Sequence, residues 1–378
     1  MTGLPRADDL IARALAGLAP WPAGMDAGLV AERAIYHGVT GLLIARAAHI
    51  ASWPDALRSH LRAKAVAQTM WEIRHRTILV PLLAALAQAG VAAVLLKGTA
   101  LAYGLYPAPA QRNRGDTDLL VAPNDLQRAR AVFHANGFAC NEPLPEATAP
   151  DRQESWIFIS ADGGQHEVDL HVEVFSSPAL IPVLTGAAAL AGATPLHALS
   201  PQARALPLPL ALLHACLHRA QHVISPYFVG GQSHYGGDRM VWLMDIDLAL
   251  RAMTTADYDH FVQAATTNGV GPICAAALRT AESMLGAPCP ASLIAALTRG
   301  PTGPAARYLT QTRASGRVIE DLRAIPGLRG KLHHAALRLF PPAHALRARY
   351  PDLADAALPY LYLRRLAGIW QRRMADRK

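Results

Sequence analysis

Hydrophobic residues change their spacing at Gly90, and this change limits the folds open to the chain. Up to about residue 88, apolar residues recur at helical spacing. Directly after Gly90 the run VAAVLLK is short, apolar and β-branched, as in a buried strand, and Gly98 then opens a helical stretch. The pattern predicts a long helical segment followed by a strand, a tight turn and a helix.

Further strands are predicted beyond this turn. RGDTDLLVAP has the composition of a second strand that ends at Pro123, and PNDLQRARAVFHANGF predicts a helix that stops at Gly137. SWIFIS and HEVDLHVEVF predict two more strands, and a loose Ala/Gly/Pro connection follows over LTGAAALAGATPLHALSP. From about residue 203 onward the signals are helical again.

These patterns predict an α+β protein, in which a small mixed β-sheet is flanked by N-terminal helices and a large C-terminal helical region. With 378 residues, the chain is long enough for two or three cores. The predicted parts are an N-terminal helical segment over 1–88, a mixed α/β core over 89–180 and a C-terminal helical region over 200–378.

Positive charge is concentrated at the C-terminal end. Residues 317–378 hold thirteen Lys or Arg against five Asp or Glu, an excess equal to the whole net charge of +8. Such a region could contact RNA, an acidic peptide or anionic lipid. A surface helix with a basic outer face and Leu361, Leu366, Ile369 and Trp370 packed inward explains it better, so nucleic-acid binding is open but not favoured.

No pattern in the sequence directs the chain to a membrane or to an oxidising compartment. The longest apolar tract, Leu82 to Leu96, contains Gln88 and Gly90 and is too short to span a bilayer. The N-terminal residues lack the pattern of a signal peptide. Because the four cysteines show no Cys-x-x-Cys spacing, we expect reduced thiols and a cytoplasmic location.

Two aspartates lie two residues apart in the second predicted strand. Side chains at i and i+2 of a strand share a face, so Asp116 and Asp118 would project side by side. Adjacent carboxylates repel each other unless a cation lies between them, and Mg²⁺ is commonly held by one or two carboxylates together with substrate phosphates. The pair predicts a metal site, although an isolated Asp-x-Asp is more often a turn or a solvated edge.

HEVDLHVEV alternates strictly between polar and apolar residues. It places Glu167, Asp169, His171 and Glu173 on one face of a strand and four apolar residues on the other. If this strand neighbours the first, Asp169 completes a three-carboxylate site for two metals. Such a site would suit phosphoryl or nucleotidyl transfer.

A phosphate-binding turn is predicted between the first strand and its helix. Gly98 and Thr99 at a helix start offer backbone N–H groups, a hydroxyl and the positive end of the helix dipole. Lys97, Arg112 and Arg114 could neutralise phosphate charge in the transition state. Each element alone is common, but the order of turn, carboxylate pair and third carboxylate is far more specific.

The run VLLKGTALAYGLYPAPAQRNRGDTDLLVAPNDLQRARAVFHANGF, followed by HEVDLHVEVF, resembles a bacterial family of uncharacterised nucleotidyltransferases in the DNA polymerase beta-like superfamily. The similarity is close over about residues 90–176. It extends more loosely through LLHACLHRAQH and DRMVWLMDIDLAL to LFPPAHALRARYP.

The resemblance implies that Asp116 and Asp118 are metal ligands and that Asp169 is the third carboxylate. It also implies Mg²⁺ or Mn²⁺ as cofactor and an NTP, with ATP as the first expectation, as donor. The Gly-Ser of the superfamily corresponds to Gly98-Thr99, but a lysine stands where the superfamily has a glycine-rich turn. Family members resemble accessory enzymes encoded beside peptide-modification or surface-polysaccharide genes, which suggests a peptide or sugar acceptor.

Histidines in the C-terminal region are weaker candidates. His214, His218 and His222 fall at i, i+4 and i+8 of a helix and could hold a metal or phosphate, although a structural role is favoured. His171, His218 and Arg219 are candidates to face the cleft.

Two further patterns are interpreted as structural. Asp245 and Asp247 lie in a helical pattern, where residues two apart point about 200° apart, so capping or ion pairing is expected rather than a shared metal. FVGGQSHYGGDR predicts a surface loop, with a lid as the alternative.

The predicted function is metal-dependent transfer of NMP from an NTP to a hydroxyl of a small molecule, sugar or peptide, with release of pyrophosphate. Asp169 would help to ionise the hydroxyl, by metal ligation or as a base. One alternative is a non-catalytic, antitoxin-like or regulatory nucleotide-binding protein, which has no evident need for three converging aspartates. The other is an RNA-tailing nucleotidyltransferase that uses the basic C-terminal region.

Overall fold

A computed structural model describes residues 3–142, 153–225, 227–229, 232–234, 236–341, 343, 346–347, 350, 353 and 356–375. Most of them are helical. The helices are α1 (Gly3–Ala16), α2 (Ala27–His37), α3 (Thr40–Ala45), α4 (Asp55–Gln88), α5 (Lys97–Leu105), α6 (Leu126–Ala135), α7 (Gly186–Gly192), α8 (Leu208–Ile224), α9 (Met240–Ala252), α10 (Thr255–Thr267), α11 (Gly271–Leu285), α12 (Ala291–Thr298), α13 (Pro304–Thr310), α14 (Ala314–Ala324), α15 (Leu328–Leu339) and α16 (Leu358–Ala375).

The strands form one seven-stranded mixed sheet and a separate hairpin. The sheet has the order β3-β4-β5-β2-β1-β7-β6, and β8 pairs with β9. The strands are β1 (Ala93–Leu96), β2 (Asp116–Val121), β3 (Ala139–Glu142), β4 (Gln153–Ile159), β5 (Gln165–His171), β6 (Thr194–Pro195), β7 (Arg204–Ala205), β8 (Tyr227–Val229) and β9 (Gln232–His234). The predicted α+β class is confirmed.

Capping chemistry sets the ends of several helices. At the start of α2, the Asp26 side chain accepts hydrogen bonds from the backbone N–H groups of Gly28 and Leu29, and the helix ends at Gly38 with a φ of 69°. At the start of α10, Thr254 begins a reciprocal capping box. These helices begin and end where local side chains satisfy the otherwise unpaired backbone groups.

Strand β2 lies at the centre of the sheet, antiparallel to β1 and parallel to β5. In this register Asp118 is opposite Leu96 of β1 on one side and Asp169 of β5 on the other. The two acidic strands are therefore neighbours in the sheet, which confirms the condition set in the sequence analysis. It places the Asp118 and Asp169 side chains on one face of the sheet.

The sheet separates two apolar cores, because alternate residues of each strand point to opposite sides. Val94, Leu96 and Leu120 belong to the larger core, which also contains residues of α1–α3 and α8–α13. Leu95 and Leu119 belong to the smaller core, which is shared with α4 and α6. The first helices of the chain and its C-terminal helices thus pack in one core, on the face of the sheet that carries Asp118.

Two local predictions were wrong. The stretch predicted as a loose connection contains α7 and β6, and β6 extends the sheet by pairing with β7. Strand β5 ends at His171, so Glu173 does not continue the polar face; its carboxylate accepts a hydrogen bond from the Gly186 backbone at the start of α7. Ala and Gly clusters are weak predictors because tertiary pairing decides their structure.

The remaining patterns are resolved in part. The glycine-rich segment holds the β8–β9 hairpin, while residues 230, 231 and 235 lie outside the described residues. Of the apolar residues predicted to pack from the C-terminal helix, Leu361 is buried and Leu366, Ile369 and Trp370 lie outside the described side chains. All four cysteines are free thiols. In the described part of the chain, no helix is both long and apolar enough to cross a bilayer.

Candidate active site

Carboxylates from two neighbouring strands meet on one face of the sheet. Asp118 and Asp169 are direct register partners, and Asp116 is the register partner of Glu167. Asp118, Asp169 and His171 each offer a ligand atom, and these atoms lie within 4.8 Å of one another. The structure therefore adds His171, expected only to face the cleft, to a cluster predicted from three aspartates.

Lys97 connects β1 to α5 and reaches into this cluster. Its Nζ donates to Asp118 Oδ1 at 2.6 Å. Its φ of 43° lies in the left-handed region, which costs an L-residue roughly 1–3 kcal/mol unless the surroundings hold it. A strained residue that delivers a cation to a buried carboxylate is typical of a functional site.

The residue after this lysine must be small. A Cβ on Gly98 would lie 2.9 Å from Nη1 of Arg112 and 3.3 Å from Cδ of Arg114. Glycine therefore allows two guanidinium-bearing side chains to approach the first turn of α5. The predicted turn is present, at the N-terminus of a nine-residue helix.

His171 holds Asp118 from the other side. Its Nε2 lies 2.9 Å from Asp118 Oδ1 and donates to it when that nitrogen carries the proton. Burial lowers the pKa of His171 more than the Asp118 carboxylate raises it, so the imidazole is neutral at pH 7. A neutral imidazole orients Asp118 without cancelling its charge.

The three aspartates differ in their proton affinity. Burial raises the pKa of Asp118, but Lys97 and His171 outweigh it and hold that pKa below its usual range. Burial and then the negative charges of Asp118 and Asp116 raise the pKa of Asp169 to about 8. Burial, followed by Asp118, also raises the pKa of Asp116. The site thus carries more negative charge than Lys97 alone can balance.

One oxygen of Asp169 is left without a partner. Gln153 of β4 donates from Nε2 to Asp169 Oδ2 at 3.1 Å. Asp169 Oδ1 is buried and makes no hydrogen bond within the described structure. Gln153 was not predicted, because the sequence indicated a strand there but not which strand it would pair with.

Thr99 and Arg114 lie on the far side of this turn, inside the protein. The Thr99 hydroxyl is fully buried, 2.7 Å from the Thr117 hydroxyl, and accepts a hydrogen bond from Arg114 Nε at 3.0 Å. Arg114 also donates to Glu72 of α4 at 2.9 Å. Their predicted role in binding phosphate stays a prediction, and the structure assigns them contacts that support the turn.

Arg112 makes a buried ion pair with the C-terminal region. Its Nε and Nη2 donate to the two oxygens of Asp245 on α9 at 2.9 and 2.7 Å, and the Tyr106 hydroxyl donates to the same carboxylate at 2.7 Å. The ion-pair interpretation of Asp245 is confirmed, as it is for Asp247, which pairs with Arg251. Nη1 of Arg112 remains directed toward the helix start.

A small cavity opens beside Lys97 between α5, α8 and α9. His214 and His218 of α8 and Trp242 of α9 contribute to its wall, so two of the three predicted helix-face histidines face the cleft region. His222 stacks against Trp242 at a centroid distance of 5.5 Å. Arg219 is held by Asp238, with Nε to Oδ1 at 2.6 Å, and is absent from the cavity wall.

Comparison with known proteins gives one family. A family model described as "Uncharacterised nucleotidyltransferase" matches residues 23–286. Among solved structures, the crystal structure of JHP933 from Helicobacter pylori is similar, with 13% sequence identity and a TM-score of 0.31 over 73% of this chain and 96% of that chain. No curated protein matches the chain.

Proposed function

Since the chain belongs to the uncharacterised nucleotidyltransferase family, we propose that it transfers a nucleotide from an NTP to an acceptor hydroxyl and releases pyrophosphate. The observation that carries the proposal is the cluster of Asp118, Asp169 and His171 beside Lys97. The acceptor is a small molecule, a sugar or a peptide.

The donor set fits a divalent cation. Two carboxylates and an imidazole lie within ligand distance of one another, and a buried oxygen of Asp169 has no partner among the described residues. Asp118 and Asp169 would hold the ion, with His171 beside them and Asp116 next along β2. Carboxylates suit Mg²⁺, and a site that includes imidazole also suits Mn²⁺. The bound ion would supply positive charge that stabilises the phosphates in the transition state.

Lys97 binds and neutralises the triphosphate. Burial lowers the pKa of Lys97, but the Asp118 carboxylate outweighs burial and raises it, so the ammonium stays charged. Lys97 is the first residue of α5, and backbone N–H groups and the helix dipole at this end favour anions. Nη1 of Arg112, close to Gly98, adds a second donor at the same place.

Asp169 accepts the proton of the acceptor hydroxyl. Burial and neighbouring carboxylates raise the pKa of Asp169 to about 8. The ionised carboxylate is therefore a stronger base than that of an ordinary aspartate. Of the two carboxylate oxygens of Asp169, one would ligate the ion and the other would receive the proton. The acceptor oxygen then bonds to the α-phosphorus, the bond from that phosphorus to the bridging oxygen breaks, and pyrophosphate leaves.

Ligand-dependent thermal unfolding tests this function. Each NTP is added to the wild type and to Asp118→Asn and Asp169→Asn, with and without Mg²⁺ or Mn²⁺. A ligand that binds only the folded state raises the Tm. We expect a metal-dependent shift with at least one NTP in the wild type and its loss in both variants.

Asp162→Asn is the matched control, because Asp162 is an exposed aspartate in the turn that precedes β5. It should shift like the wild type. If no NTP raises the Tm of the wild type at millimolar concentration, the transferase proposal is wrong and a non-catalytic role is favoured.

A further inference from the structure

The last helices of the chain leave large apolar side chains in contact with solvent. Leu328 and Leu332 of α15 are 72% and 62% exposed, and Leu339 and Phe340 at its end are 45% and 54% exposed. Leu328, Leu332 and Leu339 fall at i, i+4 and i+11, so they share one face of the helix. These residues form the leucine face of α15, and exposed leucines grouped in this way indicate an interaction surface.

Basic side chains border the leucine face on both sides. In an α-helix, Arg329 lies about 100° from Leu328 in one direction and Lys331 about 60° from it in the other. Neither Arg329 nor Lys331 pairs with a carboxylate among the described residues. The face is therefore apolar in its centre and positive along its edges.

The nearest acidic residues in the chain point inward. Glu320 and Asp321 of α14 are buried. Asp321 accepts hydrogen bonds from the Ser177 hydroxyl and from Nη2 of Arg338, and Glu320 pairs with Arg323. Beyond Asp321, the described residues include no Asp or Glu. The positive edges of the leucine face are thus not neutralised by acidic side chains of the described C-terminal helices.

Helix α16 is held against the end of α15. The Tyr362 hydroxyl donates to the Pro341 carbonyl oxygen at 2.7 Å, and the Tyr362 ring lies 5.7 Å from that of Phe340. Tyr360 and Leu363 of α16 are also exposed. Two adjacent helices at this end of the chain therefore expose apolar side chains together.

The basic edges exclude a second copy of the chain as the best partner. A two-fold interface pairs the same patch on both subunits. It would bring the positive edges of one leucine face against those of the other, and like charges at close range repel. The partner that covers this face must instead be negative.

The leucines distinguish between two negative partners. A nucleic acid would satisfy Arg329 and Lys331 through its phosphates, but proteins bind its bases by hydrogen bonding and aromatic stacking, which leucine side chains do not supply. An anionic lipid bilayer satisfies both parts of the surface. Its headgroup phosphates attract Lys and Arg, and its acyl chains remove leucine side chains from water.

We propose that the leucine face of α15 binds the surface of an anionic phospholipid bilayer. The three leucines enter the boundary between headgroups and acyl chains, while Arg329 and Lys331 contact headgroup phosphates. The helix lies in the plane of the interface, so binding is peripheral and reversible. This activity goes beyond the proposed nucleotidyl transfer and does not depend on it.

Vesicle flotation with the full chain tests the proposal. The protein is mixed with vesicles of phosphatidylcholine, alone or with about 30% phosphatidylglycerol, and the bound fraction gives an apparent Kd. We expect at least tenfold tighter binding to the anionic vesicles, and a loss of binding as NaCl is raised from about 0.1 M to about 0.5 M, because salt screens the basic side chains. A wild type that binds neither kind of vesicle would overturn the proposal.

A double variant removes the apolar centre of the surface. Leu328→Ser/Leu332→Ser should weaken binding to the anionic vesicles at least tenfold, since two apolar side chains no longer enter the bilayer. The matched control is Val66→Ser/Ile73→Ser, which removes two exposed aliphatic side chains from α4. The control should bind within about twofold of the wild type. Equal losses in both double variants would show that the leucine face is not the binding surface.

A second double variant tests the charges and covers the case in which the serine variant folds poorly. Arg329→Gln/Lys331→Gln should weaken binding to the anionic vesicles about tenfold and leave binding to neutral vesicles within about twofold. Arg62→Gln/Lys64→Gln removes the same charge from exposed positions of α4 and should bind like the wild type. Equal losses in these two variants would mean that net charge alone drives binding.

The competing partners would give different results. If single-stranded RNA binds more tightly than the anionic vesicles and Leu328→Ser/Leu332→Ser does not affect RNA binding, the surface binds nucleic acid and the lipid assignment is wrong. If sedimentation velocity shows a dimer that the same variant dissociates, the leucine face joins two copies of the chain and the lipid assignment is again wrong.

Discussion

Strand β2 presents polar side chains to both faces of the sheet, and these side chains have different partners on the two faces. On one face, the Thr117 hydroxyl lies 2.7 Å from His75 Nε2, within a network in which Arg114 pairs with Glu72. On the other face, Asp118 faces the Asp169 carboxylate and the ammonium of Lys97, and Asp116 lies next along the strand. The first face balances its charges and the second does not.

This difference separates a supporting role from a chemical one. A buried carboxylate that faces a guanidinium is paired already and has little to offer a ligand. Asp169 keeps one buried oxygen, Oδ1, without a partner among the described residues. An unsatisfied buried oxygen costs stability, and its place beside like charges fits the proposed cation site.

The largest expected effect is on turnover. Asp118→Asn keeps the side-chain volume but removes the charge that Lys97 and His171 contact. We expect pyrophosphate release from the preferred NTP to fall about 1,000-fold, equivalent to about 4 kcal/mol of transition-state stabilisation. Asp247→Asn is the control, because Asp247 lies on the opposite side of α9 from Asp245 and pairs with Arg251. Its rate of pyrophosphate release should stay within about twofold of the wild type. If Asp118→Asn kept full activity, the face that carries Asp118 would have no chemical role that sets it apart from the other face.

On the supporting face, the effect should be on stability. Arg114→Leu leaves Glu72 buried without its cation, and we expect the free energy of unfolding to fall by about 3 kcal/mol in urea titrations. The double variant Arg114→Leu/Glu72→Leu should recover most of this loss, since no uncompensated charge remains. A single variant as stable as the wild type would show that the pair does not support the turn.

On the face that carries the aspartates, removal of a charge should raise the stability of the protein. With a chelator present, Asp169→Asn removes a carboxylate that burial and neighbouring charges disfavour. We expect the free energy of unfolding to rise by about 2 kcal/mol, while pyrophosphate release is lost. Asp162→Asn should leave pyrophosphate release unchanged. A less stable Asp169→Asn protein would contradict the view that the site is strained by like charges.

The smallest effect is expected at a balanced cluster between α1 and α2. Burial raises the pKa of Asp8, but hydrogen bonds from His37 and Arg33 outweigh it and lower that pKa to about 2. The folded pKa lies below the unfolded value of 3.8, so this stabilisation is complete above pH 4 and is lost as pH falls toward 2. We expect Asp8→Asn to cost about 1 kcal/mol at pH 7.

The difference in unfolding free energy between the wild type and Asp8→Asn should shrink between pH 4 and pH 2. Asp9→Asn is the matched control, because Asp9 makes only an exposed pair with Arg13 and should behave like the wild type. A difference that does not change with pH would mean that hydrogen-bond geometry rather than charge stabilises this cluster.

The spacing of polar and apolar residues along the chain was sufficient to predict the strands and the turn that carry the site. The two-residue period of DTDLLV and HEVDLH placed Asp118 and Asp169 on polar faces of buried strands, and β2 and β5 have these faces. The turn at Gly98 and the helical regions on either side of the sheet followed from the same kind of pattern. Period and turn chemistry depend on neighbours in the chain, so the sequence expresses them directly.

Partners distant in the chain could not be predicted in this way. Arg112 and Arg114 are two residues apart, yet one pairs with Asp245, 133 residues away, and the other with Glu72, 42 residues away. The sequence by itself determined which residues could be charged, paired or strand-forming. Only the tertiary structure decided which carboxylates were neutralised and which were left for a ligand, because strand order and helix packing bring those groups together.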